Sequence, residues 1–273
     1  MIKKKFIDIE KLIESKNPKL LRWLPNFVLT YLKKILHEKD MNEFLSLNHE
    51  KKNEEFCDEV MRYLNLEVIV HGIENIPKEG PVILAMNHPL GGIDGIASIS
   101  AMTKYRKDIK FIVNDILMNL ENLSDMFVGV NKHGKNKGSV REQINAAFSS
   151  EEVLCIFPAG LVSRKIDGEI MDLEWKKTFV TYARSMKRTV VPVFIDGKLS
   201  PFFYRLHKIR TFFRIKVNIE MLYLANEMYK QRNQKIHFYI GKPIVGDTFH
   251  PELNDHKAAQ KFKKQVYSIK SNQ

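Results

Sequence analysis

The sequence predicts an α/β fold: a mainly parallel mixed sheet flanked by helices, preceded by an N-terminal helical, membrane-associating segment. Three observations carry this. From about Glu67 onward, short apolar runs alternate with helix-length segments, the pattern of strand–helix–strand units. Two of those runs end in loops that combine glycine with polar side chains, as ligand loops do at strand ends. The first third of the chain shows helical periodicity only. A length of 273 residues suits one large α/β domain with a small helical appendage. The division is expected at 1–65 and 66–273.

The chain opens on MIKKKFIDIEKLIESK, charged throughout and lacking the apolar core of a signal peptide. Residues 18–37 follow with Trp23, Leu24, Phe27, Val28, Tyr31, Leu32 and Ile35 at helical spacing, flanked by Lys19, Arg22, Lys33 and Lys34. Pro25 starts or kinks a helix there. Two readings are open: a helix lying in a membrane interface, or an apolar stripe packed as ordinary core. Residues 42–65 continue as helix. Strands are expected at LEVIVHG, PVILAM, IKFIV, MFVGV, EVLCIF, TVVPVFI, VNIEMLYL and IHFYIG. Helices are expected over 95–105, 138–148 and 173–186, and a charged terminal helix over 251–270.

The formal net charge is +12. Such a field attracts anions, whether lipid headgroups, nucleic acid or an acidic carrier protein. No nucleic-acid module is present and the lysines are dispersed, so no nucleic-acid partner is expected. No run of about 20 apolar residues suggests a membrane span. The two cysteines, Cys57 and Cys155, read as buried thiols. No His/Cys/Asp/Glu cluster has metal-ligand spacing, so neither a metal nor a cofactor is expected.

The chemistry concentrates after PVILAM, in NHPLGGIDG, residues 87–95. His88 lies at a strand end, six positions before Asp94. A carboxylate beside an imidazole holds one tautomer and stabilises the imidazolium formed when the other nitrogen takes a proton. Asp94 is equally suited to cap the helix that follows. A second strand-end loop, FPAGLVSRK, offers Gly160 for close backbone approach and Ser163, Arg164 and Lys165 as donors. EWKKTFVTYA follows, with Lys176 and Lys177 at its start. Between the two loops, FVGVNKHGKNKGS offers Asn131, Lys132 and Lys135.

These blocks resemble, in order, the motifs of the glycerol-phosphate/lysophospholipid acyltransferase family, over residues 73–193. The family places four residues between His and Asp; here five intervene. Its third block reads Phe-Pro-Glu-Gly, whereas Ala159 stands here in place of the glutamate. NHPLGGIDG, NKHGK, FPAGLVSRK and LEWKKTFVTYA look most like the bacterial hemolysin-like branch, and within it the glycine-lipid O-acyltransferases.

The resemblance implies His88 and Asp94 as catalytic base and orienter, with Gly91 and Gly92 as oxyanion donors. It implies Asn87, Lys132, Phe157, Gly160, Ser163, Arg164 and Lys176 as substrate-binding residues. The implied reaction moves a fatty acyl group from acyl carrier protein or acyl-CoA to the hydroxyl of a lyso-lipid. An anionic or amino-acid lipid is the expected acceptor, and a peripheral place on the cytoplasmic face of the inner membrane is expected. The alternatives are a lysophosphatidic acid acyltransferase, an amino-acid N-acyltransferase and a non-catalytic basic membrane-surface binder.

Overall fold

The computed structural model describes residues 5–114, 117–130 and 137–272. Helices α1 (Ile9–Lys16), α2 (Pro18–Trp23), α3 (Asn26–Ile35), α4 (Glu38–Asn48) and α5 (Asn53–Tyr63) come first. The alternating part runs β1 (Glu67–His71), β2 (Val82–Met86), α6 (Gly92–Met102), β3 (Ile109–Asn114), β4 (Phe127–Val130), α7 (Lys137–Ser149) and β5 (Val153–Ile156). It continues with β6 (Arg164–Ile166), β7 (Glu169–Met171), α8 (Thr178–Ser185), β8 (Thr189–Asp196), α9 (Pro201–Phe212), α10 (Leu224–Lys230), β9 (Lys235–Ile240) and α11 (Asp255–Ser268).

Seven strands form one sheet in the order β1-β9-β8-β2-β5-β3-β4. All neighbours are parallel except β8 and β9. β2 lies centrally, and each residue of VILAM is buried, as a strand covered on both faces requires. Ile83 and Ala85 join Leu154, Ile156, Trp175, Phe179 and Phe262 in one core beneath α8 and α11. Met86 points to the other face, where its sulfur accepts the Ser98 hydroxyl of α6 at 3.6 Å.

This arrangement decides where a ligand binds. From β2 the chain passes through α6 to β3 on one side of β5. From β5 it returns through α8 across β2 to β8. Right-handed crossovers in opposite directions place the two helices on opposite faces. The carboxyl ends of β2 and β5 therefore flank a topological switch point, the crevice where open α/β sheets bind their substrates.

The chain divides into two compact units, residues 52–198 with 233–273, and residues 1–51 with 199–232. The expected boundary at 65 and 66 does not coincide with them. α5 packs on α6 and belongs with the sheet, whereas 199–232 groups with the N-terminal helices. In that helical unit the Tyr31 and Tyr223 hydroxyls hydrogen-bond at 2.7 Å. His37 stacks on Tyr229 at 3.9 Å and meets Asn226 Oδ1 at 3.1 Å.

Other expectations need correction. VNIEMLYL is not a strand: Ile219–Tyr223 is a 3₁₀ turn leading into α10. Its Glu220 is buried and accepts from Arg210 Nε at 2.8 Å, a pairing that a sheet face would not supply. The 18–37 segment is two helices parted at Leu24 and Pro25, and Trp23 and Phe27 are 86% and 74% exposed. The core-packing reading of that stripe therefore fails for its aromatic residues, although Ile35 is buried. No described helix is long and apolar enough to cross a membrane.

Candidate active site

β2 delivers Asn87 and His88 to the switch point. Asn87 donates from Nδ2 to the Ile195 carbonyl at 2.9 Å and accepts the Ile195 N–H at 2.6 Å. Its amide thus brackets the end of β2 to β8, and the residue is 2% exposed. Asn87 is therefore a structural bracket between the two strands.

The extra residue between His88 and Asp94 is taken up at Gly91. Its φ of +72° is a backbone state that side chains other than glycine's strongly disfavour. α6 then begins at Gly92, which is exposed and faces open space, and its N–H has no intrahelical acceptor. Asp94 is the third residue of the helix and not its cap. Its Oδ2 accepts the Leu90 N–H at 2.8 Å and lies 2.8 Å from His88 Nδ1. The one-residue insertion therefore leaves the imidazole–carboxylate pair intact.

Asp94 is fully buried. Burial raises its pKa above the ordinary carboxyl value, and the hydrogen bond to His88 opposes that rise. An ionised Asp94 only accepts, so His88 carries its proton on Nδ1 and presents the Nε2 lone pair. The His88 side chain is 19% exposed, and its Nε2 makes no hydrogen bond among the described residues. This is the geometry of a poised base. Burial pushes the Cys155 thiol up within β5, which leaves no thiolate nucleophile there.

The loop after β5 forms the other wall. Phe157 stacks on the His88 ring with centroids 4.3 Å apart. A turn closes from Gly160 N–H to the Phe157 carbonyl at 2.9 Å, with Gly160 at φ +64°. A Cβ on Gly160 would lie 3.0 Å from Lys176 Nζ, so an exposed ammonium sits directly against this turn. The two loops are joined where the Ser163 N–H donates to the His88 carbonyl at 2.8 Å.

Two further residues of this loop are buried. The Ser163 hydroxyl is buried and donates to Asp172 Oδ1 at 2.6 Å, so it holds the loop. Arg164 is 1% exposed at the start of the β6–β7 hairpin, where Nη1 donates to the Val162 carbonyl at 2.5 Å. Lys132, with Asn131 and Lys135, lies outside the described residues.

Asp172 was missed by the sequence reading. It is fully buried, and its carboxylate accepts the His88 N–H at 3.1 Å, the Ser163 hydroxyl and the Trp175 Nε1–H at 2.8 Å. Trp175 and Ser163 lie near it in the chain, but His88 is 84 residues away, so no local motif reveals its link to that loop. Among the described residues no group of three or more His, Cys, Asp or Glu side chains could hold a metal.

Comparison with known proteins places this geometry. A family model described as acyltransferase matches residues 11–272. The chain is 42% identical over 264 residues to a lyso-glycine lipid O-acyltransferase of Bacteroides thetaiotaomicron, covering 96% of this chain and 97% of that one. A second enzyme of that name, from Phocaeicola vulgatus, is 41% identical over 264 residues, covering 96% of this chain and 95% of its own. The 1-acyl-sn-glycerophosphate acyltransferase PlsC of Thermotoga maritima shares the fold, with a TM-score of 0.50 at 19% identity over 88% of this chain and 95% of that one. The chain belongs to the acyltransferase family and is an acyltransferase.

Proposed function

We propose that the protein acylates the hydroxyl of a lyso-glycine lipid, taking the fatty acyl group from a thioester carried by acyl carrier protein or coenzyme A. The observation that carries this reading is the His88–Asp94 pair with Nε2 open, in a chain 42% identical over nearly its full length to an enzyme of that activity. Nε2 takes the hydroxyl proton as the oxygen attacks the thioester carbonyl carbon, and Asp94 stabilises the imidazolium. The tetrahedral oxyanion forms near the Gly91–Gly92 turn, whose N–H groups are the candidate donors. Collapse breaks the carbon–sulfur bond, and the leaving thiolate takes the proton from His88. Ester and free thiol result, with no covalent acyl-enzyme.

A terminal glycine carboxylate needs a cation. Lys176, exposed and against Gly160, is the candidate nearest the turn, with Lys165 also exposed and Arg164 buried on the second loop. Purified protein should release thiol in step with consumption of lyso-glycine lipid, with higher kcat/KM than for lysophosphatidic acid or a free amino acid. A preference for lysophosphatidic acid would overturn the acceptor assignment. Running the assay with acyl carrier protein and with coenzyme A thioesters identifies the donor.

The helical unit supports a peripheral membrane location, at the cytoplasmic face where thioester donors are available. Trp23 and Phe27 are exposed beside Lys19 and Arg22. Phe212 and Phe213 are 80% and 66% exposed among Arg210, Arg214 and Lys216, whereas Glu220 and Glu227 of the same stretch are buried. Basic residues bordering exposed aromatics suit an anionic bilayer surface. Each large apolar side chain withdrawn from water contributes about 1.5–3 kcal/mol. Trp23→Ser combined with Phe27→Ser should therefore lower the partition onto anionic vesicles by at least about tenfold in flotation. Unchanged flotation would remove these residues from the contact.

A further inference from the structure

We infer that Asp172 is the positioning residue of the active site, setting where the His88 backbone stands and hence where Nε2 meets the acceptor hydroxyl. The inference rests on His88 being the base, and it concerns a residue that never touches substrate.

The geometry is specific. Asp94 fixes the imidazole ring through Nδ1, but it does nothing for the main chain of His88. Asp172 does that: its Oδ1 accepts the His88 N–H at 3.1 Å and the Ser163 hydroxyl at 2.6 Å. Ser163 in turn donates its own N–H to the His88 carbonyl at 2.8 Å. Both backbone polar groups of His88 are thereby committed, one directly to Asp172 and one through Ser163. The other oxygen, Oδ2, accepts Trp175 Nε1–H at 2.8 Å. Trp175 is itself fully buried in the core cluster beside Phe179 and Phe262. The Asp172 N–H donates to the Tyr267 hydroxyl of α11 at 2.7 Å, and the Lys263 ammonium donates to its carbonyl. One carboxylate thus ties the base to the hydrophobic core and the second substrate loop to the base.

The donor count explains why a carboxylate is required. Three donors converge on Asp172 from its own unit: a backbone N–H, a hydroxyl and an indole N–H. Two acceptor oxygens satisfy all three. An asparagine offers one oxygen, so its NH₂ would face either the indole N–H or the His88 N–H, donor against donor. A buried donor left without an acceptor shifts to find one. The segment free to shift is the loop carrying His88, because Trp175 is locked by its packing.

Asp172→Asn is the test, with Tyr267→Phe as a milder variant that leaves the carboxylate in place but removes the acceptor of the Asp172 N–H together with the hydroxyl's contacts to Ser163 and the Asp172 side chain. Displacing a catalytic group by about 1 Å costs on the order of 10²-fold in rate. Asp172→Asn should therefore lower kcat about 10²-fold, with KM for the acceptor within about threefold, measured per folded molecule. Tyr267→Phe should lower kcat about tenfold in the same pattern. With ¹⁵N-labelled histidine, the His88 ring resonances should move in both variants. Asp172→Glu should not rescue, because the longer arm displaces both oxygens. If folded Asp172→Asn keeps kcat within twofold, the inference fails. If Asp172→Asn does not fold, unchanged kcat and His88 resonances in Tyr267→Phe overturn it. A drop in KM-limited rate alone would also overturn it, since that would place Asp172 in acceptor binding. Failure of the base assignment is read separately: it would show as a His88→Ala variant that still turns over.

Discussion

Replacing His88 with alanine is expected to lower kcat about 10²- to 10⁴-fold, the usual contribution of a positioned general base. The ring is the only imidazole in either loop at the switch point, and its Nε2 has no competing partner among the described residues. Without it, the lipid hydroxyl keeps its proton while it attacks and the leaving thiolate finds no acid. Acceptor KM should change little if, as proposed, the ring serves the reacting oxygen and not the headgroup. Folding should survive, since the side chain is partly exposed and its loss leaves the Asn87 bracket and the Asp172 bond to the His88 N–H in place. Thiol release by a variant with a native melting curve measures this. Near-wild-type release would remove His88 from the chemistry.

Asp94→Asn is expected to cost about 10²-fold or more in kcat while leaving the protein folded. The amide is the same size, and its oxygen still accepts the Leu90 N–H. With that oxygen in the place of Oδ2 it also keeps the contact to His88 Nδ1, but it carries no charge to stabilise an imidazolium. The pH dependence of stability gives an independent readout. Burial raises the folded pKa of Asp94 above that of the unfolded chain, so over that interval the folded protein holds a proton the unfolded chain has released. The contribution of Asp94 to stability is therefore fully present below the ordinary carboxyl pKa and is lost as pH rises through the raised value. Asparagine has no such loss. The Tm of Asp94→Asn relative to wild type should climb from acid toward neutral pH, and a difference independent of pH would show that the carboxyl is not raised.

The contact between His88 and Asp94 was legible because its signal is local. A buried apolar strand, a glycine turn and a helix start fix where a histidine and a carboxylate six residues apart meet, and Gly91 supplies the backbone state that absorbs the insertion. The central strands were legible for the same reason: β2 and β5 are continuous apolar runs. What escaped the sequence depends on distant partners. The bracket that Asn87 makes to β8 is invisible until Ile195, 108 residues further on, is seen to lie beside it. Asp172 gathers donors from residues 88, 163 and 175, and no spacing rule reports such convergence. VNIEMLYL alternates like a strand, yet its glutamate is held by Arg210 of α9. The β6–β7 hairpin carried a readable signal that was passed over. Asp167 and Gly168 both take positive φ, 49° and 92°, as an Asp-Gly hairpin turn does.

The Asn87 amide has a consequence for the tempo at which the base is lost. Because the Ile195 N–H is held by a side chain at the root of the catalytic loop, its deuterium uptake reports the same opening that frees His88. Ile195 is buried near the carboxyl end of β8, so its uptake is expected to be slow and to follow the parting of β2 from β8. The His88 ring is then expected to keep its place for as long as those two strands stay paired.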